Sequence, residues 1–190
     1  MRSITSKAQE AKRNKRNQYI LGGILIFVMF ISVVGYGFQS SDDTTDSSTF
    51  EYNSYTFIPQ NGIWYLQLGD FVLSFKYTPD QTTTIDSVLN PLSSYANNPL
   101  YLSSKTPEAD YEISRNFDQV VLRRQYACLE GEECANPTYP VKTCADNVIL
   151  IQEADIMNIS QRDNCVFIQG PKEDLTRITD EFLYKVIGIK

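Results

Sequence analysis

A chain of 190 residues is long enough for one domain with accessory segments. Its formal charge is −6, yet six cations before Gln18 (Arg2, Lys7, Lys12, Arg13, Lys15 and Arg16) face only Glu10, which leaves −11 for the remainder. So acidic a body repels phosphate backbones and excludes nucleic acid as a partner of the folded part. The absence of any histidine excludes Ser-His-Asp and Cys-His catalysis and the His-based zinc hydrolases.

Residues 1–18 read as a basic cytoplasmic segment. Tyr19 to Phe38 follows without a charged residue, close to the 20 or so apolar residues a helix needs to cross a bilayer. Gly22, Gly23, Gly35 and Gly37 do not oppose this, because only a helix satisfies its own backbone in lipid. The next cation after the run is Lys76, so the positive-inside rule keeps the N-terminus cytoplasmic and puts the rest outside. A cleaved signal peptide would want a shorter apolar region and a small-x-small site, for which Val33-Val34-Gly35 is poor. A buried core helix is rarely apolar on every face, and a pilin-type leader wants a small residue where Asn17-Gln18 stands. The expectation is a single-pass signal anchor over 19–38. It lacks an intact Gly-x-x-x-Gly, so dimerisation through the span is not indicated.

Residues 39–49 read QSSDDTTDSST, a polar stretch that cannot bury a core and serves as a flexible linker. Asp42, Asp43 and Asp46 lack the alternate-acid spacing and central Gly of a calcium loop. From residue 50 to 190 one extracytoplasmic domain is expected. Tyr52, Tyr55 and Phe57 suggest a first strand. Ile63 to Leu68 and Phe71 to Tyr77 form a hairpin about Gly69-Asp70. Phe71, Leu73, Phe75 and Tyr77 alternate with Val72, Ser74 and Lys76, so one face is buried, and Trp64, Leu66 and Leu68 share it. Such aromatic alternation is read as core packing rather than a ligand platform.

Ile85 to Tyr95 is expected to hold a short helix interrupted at Pro91, and Leu100 to Leu102 a short strand. Asp110 to Leu129 is expected as a helix through Ile113, Phe117, Val120, Val121 and Arg124, ending at Cys128. Val148 to Gln152 and Cys165 to Gln169 read as buried strands. A closing helix has Pro171, Glu173 and Asp174 in its first turn, a stripe of Leu175, Ile178, Phe182 and Val186, and Gly188 as its stop. The fold class is α+β, with no internal repeat.

Cys128, Cys134, Cys144 and Cys165 all fall on the expected outer side, where an even count reads as disulfides. Three pairings are open to the sequence. Cys128 with Cys134, closing a short acidic loop, and Cys144 with Cys165, pinning two neighbouring strands, are preferred. A zinc site would want Cys-x2–4-Cys knuckles, whereas five, nine and twenty residues intervene here. Redox catalysis would want Cys-x-x-Cys.

There is no Ser-x-x-Lys, and no Gly precedes a Lys to make a phosphate loop. Two carboxylates could still hydrolyse a glycoside, but nothing marks two as a pair. Glu130, Glu132 and Glu133 read as a solvated loop. No catalytic residue, metal site or cofactor is therefore expected. Asn158-Ile159-Ser160 is an N-glycosylation sequon in an expected loop, while Pro137 disqualifies Asn136.

The basic start and single span, Tyr52-Asn53-x-Tyr55-x-Phe57, Trp64 and Phe75-x-Tyr77-x-Pro79 make one set of motifs. Asn164-Cys165-Val166 and Phe182-Leu183-Tyr184 ahead of Gly188-Ile189 complete it. Together they resemble small membrane-anchored proteins of archaea that carry no assigned activity. The resemblance implies placement and fold, and supplies no site residue. The leading functional expectation is a non-catalytic ectodomain that binds an envelope protein or serves envelope assembly. A domain presenting a ligand or cation to an envelope transporter, and a carboxylate hydrolase of envelope polymers, are the alternatives.

Overall fold

A computed structural model describes residues 20, 22, 24–29 and 49–190. The expected basic segment and most of the expected span and linker lie outside these residues. The chain divides into two units, residues 1–46 and 47–190. Of the first, residues 24–29 are helical, and Ile24, Leu25, Ile26, Phe27, Val28 and Met29 are each more than half exposed. Among the described residues no helix is long and apolar enough to cross a membrane.

The second unit is an α+β domain that begins with an antiparallel meander in spatial order β1-β2-β3-β4. Its strands are β1 (Phe50–Tyr52), β2 (Tyr55–Gln60), β3 (Ile63–Leu68) and β4 (Phe71–Phe75). Two-residue turns set the register. Asn53-Ser54 and Asn61-Gly62 both have positive φ throughout, as a type I′ turn demands, and at the third turn only Gly69 does. What reads in sequence as a first strand is thus a hairpin of two. The β3–β4 pairing joins Trp64 to Phe75, Leu66 to Leu73 and Leu68 to Phe71, the shared face expected from the alternation.

A second sheet has the order β10-β11-β9-β5-β6. Here β5 is Pro99–Ser104, β6 Arg123–Tyr126, β9 Asn147–Glu153, β10 Asn158–Arg162 and β11 Cys165–Gly170. Only β10 runs antiparallel to its neighbour, so β11, β9, β5 and β6 form a parallel core. Parallel sheets are usually covered on both faces, and this one is. Leu100, Leu102, Ile149, Ile151, Val166 and Ile168 meet the helices and the meander. On the reverse face Tyr101, Val148, Leu150 and Cys165 pack with Ala127 and Leu129. That face is crossed by the segment holding the short strands β7 (Cys128–Leu129) and β8 (Val141–Lys142).

Two expectations are corrected. Residues 83–91 have no regular structure, and only a 3₁₀ turn forms at Leu92–Tyr95, because Pro91 pushes the preceding residue out of the α region. The long helix stops early. α1 spans Pro107–Phe117, and the chain then joins the sheet edge through the Asn97 N–H to the Val120 carbonyl (3.1 Å) and the Leu122 N–H to the Asn98 carbonyl (3.0 Å). Sheet pairing overrides the local helical period there, so Cys128 opens a strand instead of closing a helix.

The closing helix α2 spans Leu175–Val186. Gly188, at φ +76, ends it in a Schellman motif. Its N–H donates to the Lys185 carbonyl at 3.1 Å, and the Ile189 N–H to Tyr184 at 2.9 Å. The tyrosine ring of Tyr184 lies 4.4 Å from Phe75 and 5.9 Å from Phe57, centroid to centroid, while α2 also contacts β9, β10 and β11. Both expected disulfides are present. Cys128–Cys134 closes a loop with a Cα separation of 5.1 Å, and Cys144–Cys165 ties the turn before β9 to the start of β11 at 5.0 Å.

Candidate functional site

The structure brings together two carboxylates that nothing in the sequence pairs. Glu112 on α1 is 3% exposed and Asp180 on α2 is fully buried. Their surroundings explain them. Strand β4 is an edge strand, and α1 lies along it. The Asn116 carboxamide accepts the Ser74 N–H at 2.9 Å and donates to the Ser74 carbonyl at 2.8 Å. Gln119 donates to the Val72 carbonyl at 3.0 Å, and the backbone of Lys76 faces Glu112. Residues 112, 116 and 119 thus meet residues 76, 74 and 72. From 112 to 116 four helical residues rise about 6 Å while two strand residues span nearly 7 Å, so these two contacts stay in step, and Gln119 adds the third from just beyond the end of α1. From α2, Asp180 accepts the Tyr77 N–H at 2.8 Å.

Burial, and then the negative charge of Glu112, hold the Asp180 carboxyl well above its usual range. Burial raises Glu112 too, against the pull of its ion-pair partner Arg115. Two acids this close cannot both ionise cheaply, and Asp180 Oδ1 has no partner among the described residues. Next along α2, Glu181 is also fully buried. It pairs with Lys190 at 2.6 Å and with the Thr82 hydroxyl at 2.7 Å. These acids strap the strand edge and the segment from Tyr77 to Thr82 onto the helices. Neither Glu112 nor Asp180 lines a described cavity.

A crevice does open elsewhere, at the carboxyl ends of the adjacent parallel strands β5 and β9. The chain leaves β5 through α1 towards β6, and leaves β9 on the other side, towards β10 and β11. Such divergence is where open parallel sheets take ligands. The cavity measures about 320 Å³. Ser103, Ser104, Lys105 and Thr106 form one wall, Leu150 to Glu153 the other, and Glu133 of the disulfide-closed loop and Ala135 just after it border it. Lys105 and Glu133 form an ion pair at 2.7 Å, with side chains 53% and 87% exposed. That contact holds Glu133 below its usual pKa.

Of the residues singled out in the sequence, the four cysteines are joined as described. Glu130 and Glu132 are exposed, and Glu133 alone of that trio reaches the crevice. Asn158 is on the edge strand β10 rather than in a loop, half-buried, with its Nδ2 3.3 Å from Gln169 Oε1. Ser103, Ser104, Lys105, Thr106 and Gln152 were not legible as a group. The only signal was a strand running into a helix with Pro at its first position. Comparison with protein-family models, with curated proteins and with solved structures finds no match, so the site is read from its own chemistry.

Proposed function

We propose that the chain is a single-pass membrane protein whose disulfide-bonded domain is held outside the cell membrane as a non-catalytic interaction module for another envelope protein. The observation that carries the non-catalytic part is the placement of Glu112 and Asp180. The two buried acids that face one another serve the edge of β4, and neither lines a described cavity. Two disulfides support an oxidising compartment. The anchor is supported by residues 24–29, which turn apolar side chains out on every side of a helix, an arrangement suited to lipid. The outward face of the meander, with Ile58 and Val72 about half exposed, offers a partner an apolar surface.

The test is a membrane-impermeant thiol reagent on intact cells, followed by in-cell photocrosslinking from position 58. Cysteine labelling only after reduction, with one discrete crosslinked envelope protein, is the expected result. Labelling only after lysis, without reduction, would place the domain in the cytoplasm and end the reading.

A second reading, presentation of a small solute to an envelope transporter, is favoured by one specific observation: the crevice between β5 and β9 gathers polar and charged groups from two strands and the segment after β7.

A further inference from the structure

We propose that Asn158 carries an N-linked oligosaccharide whose first sugars lie across Phe167 and cover the open end of the second sheet. This rests on the extracytoplasmic placement proposed above.

Asn158-Ile159-Ser160 occupies β10, a strand paired on one side only. Alternation along the strand turns Ile159 into the core, where it is 1% exposed, and sends Asn158 and Ser160 to the opposite face. The acceptor amide and the hydroxyl two residues on are therefore neighbours, with Asn158 Nδ2 3.5 Å from Ser160 Oγ. Asn158 Nδ2 also donates to Gln169 Oε1 at 3.3 Å. Both residues are only half-buried, so water can replace that bond when Nδ2 takes a sugar.

The face around the sequon is where the sheet lacks cover. Register places Asn158, Gln169 and Gln152 in one row, and Ser160, Phe167 and Leu150 in the next. Under the segment that bears β7 and β8, Leu150 and Cys165 are almost wholly buried. Along β10 and the end of β11 that cover thins. Ser160, Phe167 and Gln169 are half-buried there and Arg162 is exposed. A phenyl ring among amides suits a sugar, whose hydroxyls meet the amides while its polarised C–H groups meet the negative face of the ring. Arg162 lies 5.3 Å from the ring centre, but an exposed cation–π contact is weak and yields to a sugar. A bulky, solubilising group beside β10 would also block strand addition at its open edge.

The chemistry is transfer from a lipid-linked oligosaccharide. Asn158 Nδ2 bonds to the anomeric carbon of the first sugar and gives up one proton. The bond from that carbon to the lipid phosphate oxygen breaks, and the lipid phosphate leaves with the electron pair. Because Nδ2 is engaged in the folded sheet, transfer precedes the pairing of β10 with β11.

The full chain is isolated from the membranes of its own cells, and the peptide containing Asn158 is measured by mass spectrometry. A glycan mass on Asn158 is expected, kept in Ser160→Thr and lost in Ser160→Ala and Asn158→Gln. An unmodified Asn158 overturns the proposal, and so does a glycan that survives Ser160→Ala. Impermeant thiol labelling of the same cells separates the failures. Disulfides outside with a bare Asn158 reject the glycan alone, whereas a cytoplasmic domain rejects both readings. The contact with Phe167 is read by urea unfolding. Asn158→Gln is expected to lower the midpoint in the parent, and to lower it less on a Phe167→Leu background. Equal shifts in the two backgrounds overturn the placement across Phe167.

Discussion

The side chain of Asn116 stands where a neighbouring strand would, accepting the Ser74 N–H and donating to the Ser74 carbonyl at 2.9 and 2.8 Å. An open strand edge is a template for unwanted pairing, and here a helix closes it with a polar row. Asn116→Ala leaves two buried backbone groups without partners, each costing roughly 1–3 kcal/mol. A loss of about 2–4 kcal/mol in urea unfolding is expected, with a rise in self-association. Asn116→Asp sets a buried carboxylate against the Ser74 and Glu112 carbonyls, so at neutral pH it should cost at least as much as alanine. An alanine variant as stable as the parent would show that the edge is held by something else.

The carboxyl pair sets a pH dependence of defined sign. Asp180 is raised above its unfolded value by burial and then by Glu112. Arg115, the Tyr77 N–H, Tyr184, Glu181, Lys190 and Asp80 stand around the pair. A raised carboxyl favours the fold below its unfolded pKa, near 3.9, and this contribution is lost as pH rises through the folded value. Stability from this pair should therefore fall from acid towards neutral pH, by up to about 1.4 kcal/mol for each pH unit between the unfolded and folded values. Asp180→Asn cannot ionise and should flatten that slope while gaining stability relative to the parent at neutral pH. Denaturant midpoints across a pH series measure both, and parallel curves for the two proteins would rule out a shared proton.

The legible parts of the fold were those set by local patterns. Alternation of Leu66, Leu73 and Phe75 fixed the hairpin, and the stripe of Leu175, Ile178 and Phe182 with Gly188 fixed α2. The spacing of the cysteines permitted the pairing found. Asn61-Gly62 was a strong hairpin signal between β2 and β3 that the aromatic pattern obscured. The rest depended on distant partners. Val120 to Leu122 carry a helical period, yet their backbone groups pair with Asn97 and Asn98. Glu112 and Asp180 are 68 positions apart, and each reads alone as a surface acid. The crevice joins residues from two strands and a disulfide segment, so no window of sequence contains it.

The two disulfides should differ in worth. Restricting the unfolded chain stabilises more when the closed loop is longer. Separations of 21 for Cys144–Cys165 and 6 for Cys128–Cys134 correspond to about 3 and 2 kcal/mol on that view of chain entropy. The paired serine replacements, made separately and unfolded in urea, are expected to rank in that order. A greater loss from the shorter loop would mean that the contacts of its sulfurs with the Asn136 and Tyr139 carbonyls, at 3.1–3.7 Å, outweigh chain entropy.

Helix α2 reaches the sheet through one close approach. A methyl group at Gly170, the last residue of β11, would come within 2.3 Å of Ile178 Cδ1. The obstacle is the tip of a side chain and not backbone, so Gly170→Ala should be tolerated at a cost of about 1–3 kcal/mol. Ile178→Val removes the offending carbon and alone costs roughly 0.5–1.5 kcal/mol as a core truncation. If the clash is the cause, the two changes couple, and the double variant loses less than the two single losses combined. Thermal or urea unfolding of the four proteins completes the cycle. Simple additivity would instead mean that the cost of Gly170→Ala does not arise at Ile178, since Met157, the next nearest neighbour at 3.5 Å, is at ordinary contact distance.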